Sequence, residues 1–140
     1  MKGLVLTIKL PLPPAGASSN SRSHWSKGVK DKRDYRQAAE LFCTQAIRGI
    51  STKTPLPFAK RVRVSSEWWL GRRLPQDGRY RPRDVQNAVS ALKAAFDGLV
   101  DAQLVKDDSA QYFELGRCVL HSAKDSGTRG EVALTIEVLE

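Results

Sequence analysis

Between Arg81 and Gln111 the chain concentrates the residue types that can handle a phosphodiester. Asp84 stands just before an amphipathic helix pattern, and the pair Asp107 and Asp108 stands just after the loop that follows it. Arg72, Arg73, Arg79, Arg81 and Arg83 crowd the approach to Asp84. Carboxylates are hard oxygen donors for a divalent cation such as magnesium, and the planar fork of arginine donates to two phosphate oxygens at once. Together they suit a metal site beside a phosphate-binding surface. Taken singly, the same residues have plainer uses: an aspartate before a helix caps free N–H groups, and Asp-Asp-Ser is a common solvated turn.

The helix decides which side chains can meet. Val85, Ala88, Val89, Leu92, Phe96 and Leu99 recur at three- and four-residue steps, which predicts one helix from residue 84 or 85 through Leu99. Pro82 and Asp84 fit its start, and Gln86, Ser90, Lys93 and Asp97 fall outside the apolar stripe. Lys93 and Asp97 stand four apart, the spacing of a helical ion pair.

Arg81-Pro-Arg83-Asp84-Val-Gln86-Asn87, then Lys93-Ala-Ala-Phe-Asp97-Gly-Leu, then Asp107-Asp108-Ser-Ala-Gln111 resemble the motifs of the RusA family of Holliday junction resolvases. That pattern runs Asp-x-Asp-Asn, a lysine, Asp-x-Leu and an Asp-Asp pair. Leu10-Pro-Leu-Pro-Pro14, followed by Asn20, is similar to the family's opening, so the resemblance spans nearly the whole chain. It implies magnesium-dependent hydrolysis of DNA at four-way junctions by a homodimer. Asp84 and Asp108 would hold the metal, Asp107 would assist, and Lys93 would counter charge in the transition state. Two departures stand out. Gln86 replaces the second aspartate, so a neutral amide oxygen stands where a charged carboxylate is expected, and metal affinity should fall. Lys93 follows Asn87 by six residues, a longer step than in some relatives. The expected catalytic set is Asp84, Gln86, Lys93 and Asp108; the alternative is a junction-binding protein whose cleavage Gln86 impairs.

The remaining composition agrees with a nucleic-acid partner. The 140 residues suit one domain, residues 1–140, and the net charge of +8 with a pI near 9.8 favours a polyanion. Lys60 to Arg83 carries eight basic residues against Glu67 and Asp77, whereas Asp97 to Glu114 carries five acidic residues against Lys106. A basic approach thus precedes an acidic pocket. From Ala15 to Lys30 the composition reads as a loop, an arm whose Arg22, Lys27 and Lys30 meet DNA phosphates; Trp25 either stacks on an exposed base or is an ordinary loop residue. Cys43 and Cys118 are expected as free thiols in a reducing compartment, and a zinc site joining them to His24 and His121 lacks suitable spacing. Met1 to Leu10 is too short and polar for a membrane span or secretory signal, so a soluble cytoplasmic protein is expected, with no membrane partner.

The positioning elements follow from periodicity. Leu4, Leu6, Ile8 and Leu10 alternate as a strand; Asp31 to Arg48 has helical spacing with Gly49 placed to stop it. Val62, Val64, Trp68 and Leu70 trace a second strand, with Trp68 inward and Trp69 outward, where a second protomer or the loop arm would cover it. Tyr112 to His121 reads as a strand with a bulge at Gly116, and Ser122 to Gly130 as a turn-rich link. Val132, Leu134, Ile136 and Val138 form the last strand, expected to pair with the preceding one as a hairpin. The predicted fold is a single α+β domain, a mixed β-sheet with two α-helices packed on one face in the order βαβαββ.

Overall fold

A computed structural model describes residues 2–15, 25–73, 77–127 and 130–140, with the side chains of residues 25–27 left aside. The strands form as their alternation dictates. In β1 (Val5–Pro11) Leu6, Ile8 and Leu10 are buried while Thr7 and Lys9 are exposed; in β2 (Val62–Trp69) Val62, Val64 and Trp68 are buried. With β3 (Phe113–His121) and β4 (Glu131–Val138) they make one four-stranded mixed sheet in the order β1-β4-β2-β3. β4 runs antiparallel to both β1 and β2, and β2 runs parallel to β3. The domain is α+β.

The expected hairpin of the last two strands is therefore corrected, because β2 lies between β3 and β4. Burial gives the reason. Val132, Leu134, Ile136 and Val138 are all at most 1 % exposed, which suits a strand with a neighbour on each side, whereas β3 leaves Leu115 in solvent and takes an edge. The bulge expectation holds: Val64 pairs with Leu115 but Ser66 pairs with Cys118, so β3 carries an extra residue there. A Cβ on Gly116 would lie 2.2 Å from Ser65 Oγ, so a larger residue there would require the Ser65 side chain to turn away. On the outer face Arg63 sits between Glu114 of β3 and Glu137 of β4, at 3.1 and 3.5 Å, as the registers require.

Helix α1 (Trp25–Ile50) exceeds its predicted span at both ends. Residues 25–30, expected in a loop, are helical, and Gly49 lies inside the last turn. Tyr35, Ala39, Cys43 and Ile47 bury one face every fourth residue, and once that nucleus forms, elongation through polar flanks is cheap. The predicted single helix from 84 or 85 to Leu99 is two: α2 (Val85–Ala91) and α3 (Lys93–Asp101) meet at Leu92, which caps the end of one and the start of the other. Leu92 is fully buried, and the break lets α2 pack toward β3 while α3 packs on α1. A short α4 (Ala123–Ser126) occupies the link before β4, so the described order is β1-α1-β2-α2-α3-β3-α4-β4, with four helices in place of two.

One core joins the inner side chains of the sheet to α1, α2 and α3, with Trp68, Leu10, Leu99 and Ile136 among its fully buried members. α1 and α3 touch through their backbones at Gly98, where an added Cβ would fall 2.2 Å from the Arg36 carbonyl oxygen and 2.8 Å from Ala39 Cβ. On the outer face Trp69 stacks on His121 of β3 at 5.2 Å. Cys43 is buried and Cys118 half-buried, both free, and burial pushes the Cys43 thiol up to about 12. No described helix is long and apolar enough to cross a membrane.

Candidate functional site

The parallel pairing of β2 and β3 forces a long crossover between them, and the residues from Arg72 to Asp108 all lie on it. Asp84 is the N-cap of α2: its backbone is extended, Oδ1 accepts the Asn87 N–H at 2.8 Å, and Oδ2 accepts from Asn87 Nδ2 at 3.1 Å. Its carboxylate is exposed, as is Gln86 in the first turn. The capping role is thus realised, with lone pairs left on the solvent side.

Lys93 opens α3 and joins the two halves of the motif. Its Nζ donates to Asp97 Oδ1 at 3.0 Å and to Asp108 Oδ2, so the turn after α3 brings Asp108 back over the helix start. The Asp108 hydrogen bond, then that of Asp97, raises the Lys93 pKa and holds its charge. Asp97 also lies 4.0 Å from Arg36 Nη1, and Arg36 grips Asp101 with two hydrogen bonds of 2.5 and 2.8 Å. The result is an alternating row, Asp108, Lys93, Asp97, Arg36, Asp101. Asp107 stands apart from it. Its Oδ1 accepts the Ser109 N–H at 2.8 Å, and hydrogen bonding from Ser109 lowers its pKa.

These positions bear directly on magnesium. Among the described residues no group of three or more His, Cys, Asp and Glu side chains is placed to hold a metal ion, so Asp84, Asp107 and Asp108 do not form a three-carboxylate centre. Asp84 and Asp108 are each exposed hard-oxygen donors, Asp84 with both oxygens hydrogen-bonded to Asn87 and Asp108 with Oδ2 taken by Lys93, so a magnesium ion at either one would use the remaining lone pairs and complete its shell with water.

The arginine loop is built around Asp77, whose side chain is only 4 % exposed. Arg79 donates to it from its backbone N–H and from its guanidinium at 2.9–3.0 Å, and Arg81 Nη2 donates at 2.7 Å. Arg81, 9 % exposed, also donates to the carbonyls of Leu70 and Arg72. Arg79 and Arg81 are thus committed to the loop's own structure. Arg72, Arg73 and Arg83 remain exposed, as does Lys30 on α1; Arg22 and the side chain of Lys27 lie outside the described residues.

The same clamp gives a pH expectation. The side-chain hydrogen bonds from Arg79 and then Arg81 hold the Asp77 carboxyl well below the usual carboxylate range. A carboxyl whose folded pKa is depressed contributes stability that is complete above its unfolded value of about 4 and is lost as pH falls toward the folded value. The wild-type melting temperature should therefore fall as pH drops below about 4, and Asp77→Asn should start lower at pH 7 and fall less steeply. Parallel melting curves from pH 7 to pH 3 check this; identical slopes would remove Asp77 from the account.

Two grooves flank Lys93. One, of about 600 Å³, runs between α1 and the α2–α3 pair; the other, of about 530 Å³, lies on the β3 side and includes Asp108 and Leu115. Ser90 and Lys93 line both. The first groove brings in Lys32, Arg33 and Arg36, which helical periodicity alone assigns to a mostly structural helix. Lys32 and Arg36 already fall four apart inside the predicted Asp31–Arg48 span, which puts them on one side of the helix, and that is the signal in the sequence that points to them. Compared with models of known protein families and with curated protein sequences, the chain matches none.

Proposed function

We propose that this chain is a structure-selective DNA endonuclease of the RusA type, hydrolysing phosphodiesters at four-way junctions in DNA recombination and repair, in the cytoplasm, as a homodimer. The contact of Lys93 with Asp108 supports this reading most, because motifs remote in sequence share one surface there. Arg72, Arg73, Arg83 and Lys30 bind phosphates and set the strand over the start of α2. Asp84 and Asp108 would hold magnesium, which would supply Lewis-acid stabilisation of charge on the phosphate oxygens. Lys93 keeps its proton through its two carboxylate partners and offers a fixed positive charge beside the phosphate. A two-fold dimer presents two such sites, which matches a junction with two strands of like polarity.

The deciding experiment is cleavage of a synthetic four-way junction with magnesium by the wild type, Asp84→Asn and Asp108→Asn. Both variants should fold and bind the junction while losing cleavage at least a hundredfold, an effect on the order of 3 kcal/mol in the barrier. A variant that fails to fold returns that residue to a purely capping or turn role. A second reading, junction binding without cleavage, draws on Gln86 and on the occupation of Asp108 by Lys93. Wild-type protein that binds junctions yet cuts at no magnesium concentration selects it.

A further inference from the structure

The groove between α1 and the α2–α3 pair is lined by charges of both signs. On the α1 side Lys32 and Arg33 are exposed; Lys32 makes no ion pair among the described residues, and Arg33 meets only its neighbour Asp34, at 3.8 Å with both side chains largely in solvent. The acids of the opposite wall are already answered, Asp97 by Lys93 and Arg36, and Asp101 by Arg36. The α1 wall also carries Glu40, whose charge acts on Arg36, so a polyanion entering the groove meets the open cations Lys32 and Arg33 together with three carboxylates that face Arg36 or Lys93. Val29, 57 % exposed at the rim, adds apolar surface that a sugar or base can cover.

Size and continuity narrow the occupant. A groove of about 600 Å³ is the size of a small-ligand site, so it takes a short segment of one strand. Ser90 and Lys93 line both this groove and the one that contains Asp108, so a strand lying in the first runs on directly to Lys93 and Asp108. From this juxtaposition we propose that the α1/α3 groove binds a short unpaired segment of the DNA strand whose phosphate lies at Lys93 and Asp108. Lys32 and Arg33 take its backbone phosphates and Val29 takes a base or sugar. The inference rests on the endonuclease reading and deepens it, giving the site a preference for unpaired nucleotides at a branch point.

The test is binding of a fluorescein-labelled oligothymidylate and, in parallel, an intact four-way junction, by fluorescence anisotropy across a salt series without magnesium. Wild-type protein should bind both. Lys32→Gln with Arg33→Gln should weaken oligothymidylate binding roughly tenfold at low salt and lower its log-log salt slope by about 0.7 for each phosphate that is no longer neutralised. Lys9→Gln with Lys53→Gln removes the same charge from exposed positions outside the groove and should leave both quantities near wild type. Val29→Glu, at an exposed position, should weaken oligothymidylate binding while circular dichroism reports an unchanged fold. Equal losses from the two charge pairs, or unaltered binding by the groove variants, overturn the groove assignment. So does a wild-type protein that binds the junction but not the oligothymidylate. Binding of neither DNA overturns the endonuclease reading together with it.

Discussion

Gln86→Asp is expected to raise magnesium-dependent cleavage of a four-way junction by about a hundredfold and to lower the magnesium concentration needed for half-maximal rate. Gln86 is exposed in the first turn of α2, two residues beyond Asp84, at the positive end of the helix. An aspartate there adds a full negative charge where the amide offers only a dipole, and that charge acts on a hard cation at short range. The same helix end accommodates the added anion, so the cost to the fold is small. A side-by-side magnesium titration of both proteins on one junction measures the effect. Efficient cleavage by the wild type at low magnesium, with no gain from the aspartate, would place Gln86 away from the metal and leave the third position to Asp107, which now caps Ser109, or to Asp77, which is locked in its arginine clamp.

Gly98→Val should be the most damaging single change away from the candidate site. The two helix backbones meet at that residue, and the nearest obstacles to a Cβ include the Arg36 carbonyl oxygen at 2.2 Å and the Glu40 backbone nitrogen at 3.0 Å, neither of which can rotate away. Seating the side chain means separating α1 from α3 and opening the core at Ala39 and Leu99, at a cost of roughly 3 kcal/mol, or a fall of about 10 °C in Tm. Because Arg36 and Asp97 sit on the same seam, the Lys93 row should loosen with it. Gly49→Ala is the matched control: nothing lies within 4 Å of its Cβ position in the last turn of α1, so the change should be neutral or stabilising by up to about 1 kcal/mol. Thermal melts of the two variants decide the matter, and similar Tm values would show that the helices part without strain.

Strand positions and the inward placement of Trp68 are legible in the sequence because period-two alternation is a local signal that burial reinforces. The partner of each strand is not. β3 and β4 are neighbours in sequence, but their pairing is decided by how much of each strand must be buried, which only the assembled sheet reveals. The break at Leu92 is hidden for a related reason: the apolar spacing runs on without a proline or glycine, and the chain bends because its two halves serve different partners. Within the candidate site, Asp84 as a cap and Lys93 with Asp97 follow from spacing alone. The meeting of Lys93 with Asp108 depends on the turn after α3. The inward commitment of Arg79 and Arg81 depends on a single aspartate, Asp77, which in the composition is no more than a minor offset to the basic run.

The pairing of β1 with β4 has a consequence for how the chain comes together in time. Val5 faces Glu137 and Pro11 faces Glu131, partners from opposite ends of the sequence, whereas α1, α3 and the β2–β3 crossover are closed by nearer contacts. Loop-closure entropy makes distant pairings late and slow, so the central layer should collapse while β1 still waits for its neighbour. During synthesis on a ribosome that delay leaves Leu6, Ile8 and Leu10, a short apolar strand without its ladder, in solvent until β4 emerges. Such a segment is a template for pairing with other nascent chains, and the yield of folded protein should therefore depend on expression temperature and chaperone supply more than its final stability would suggest.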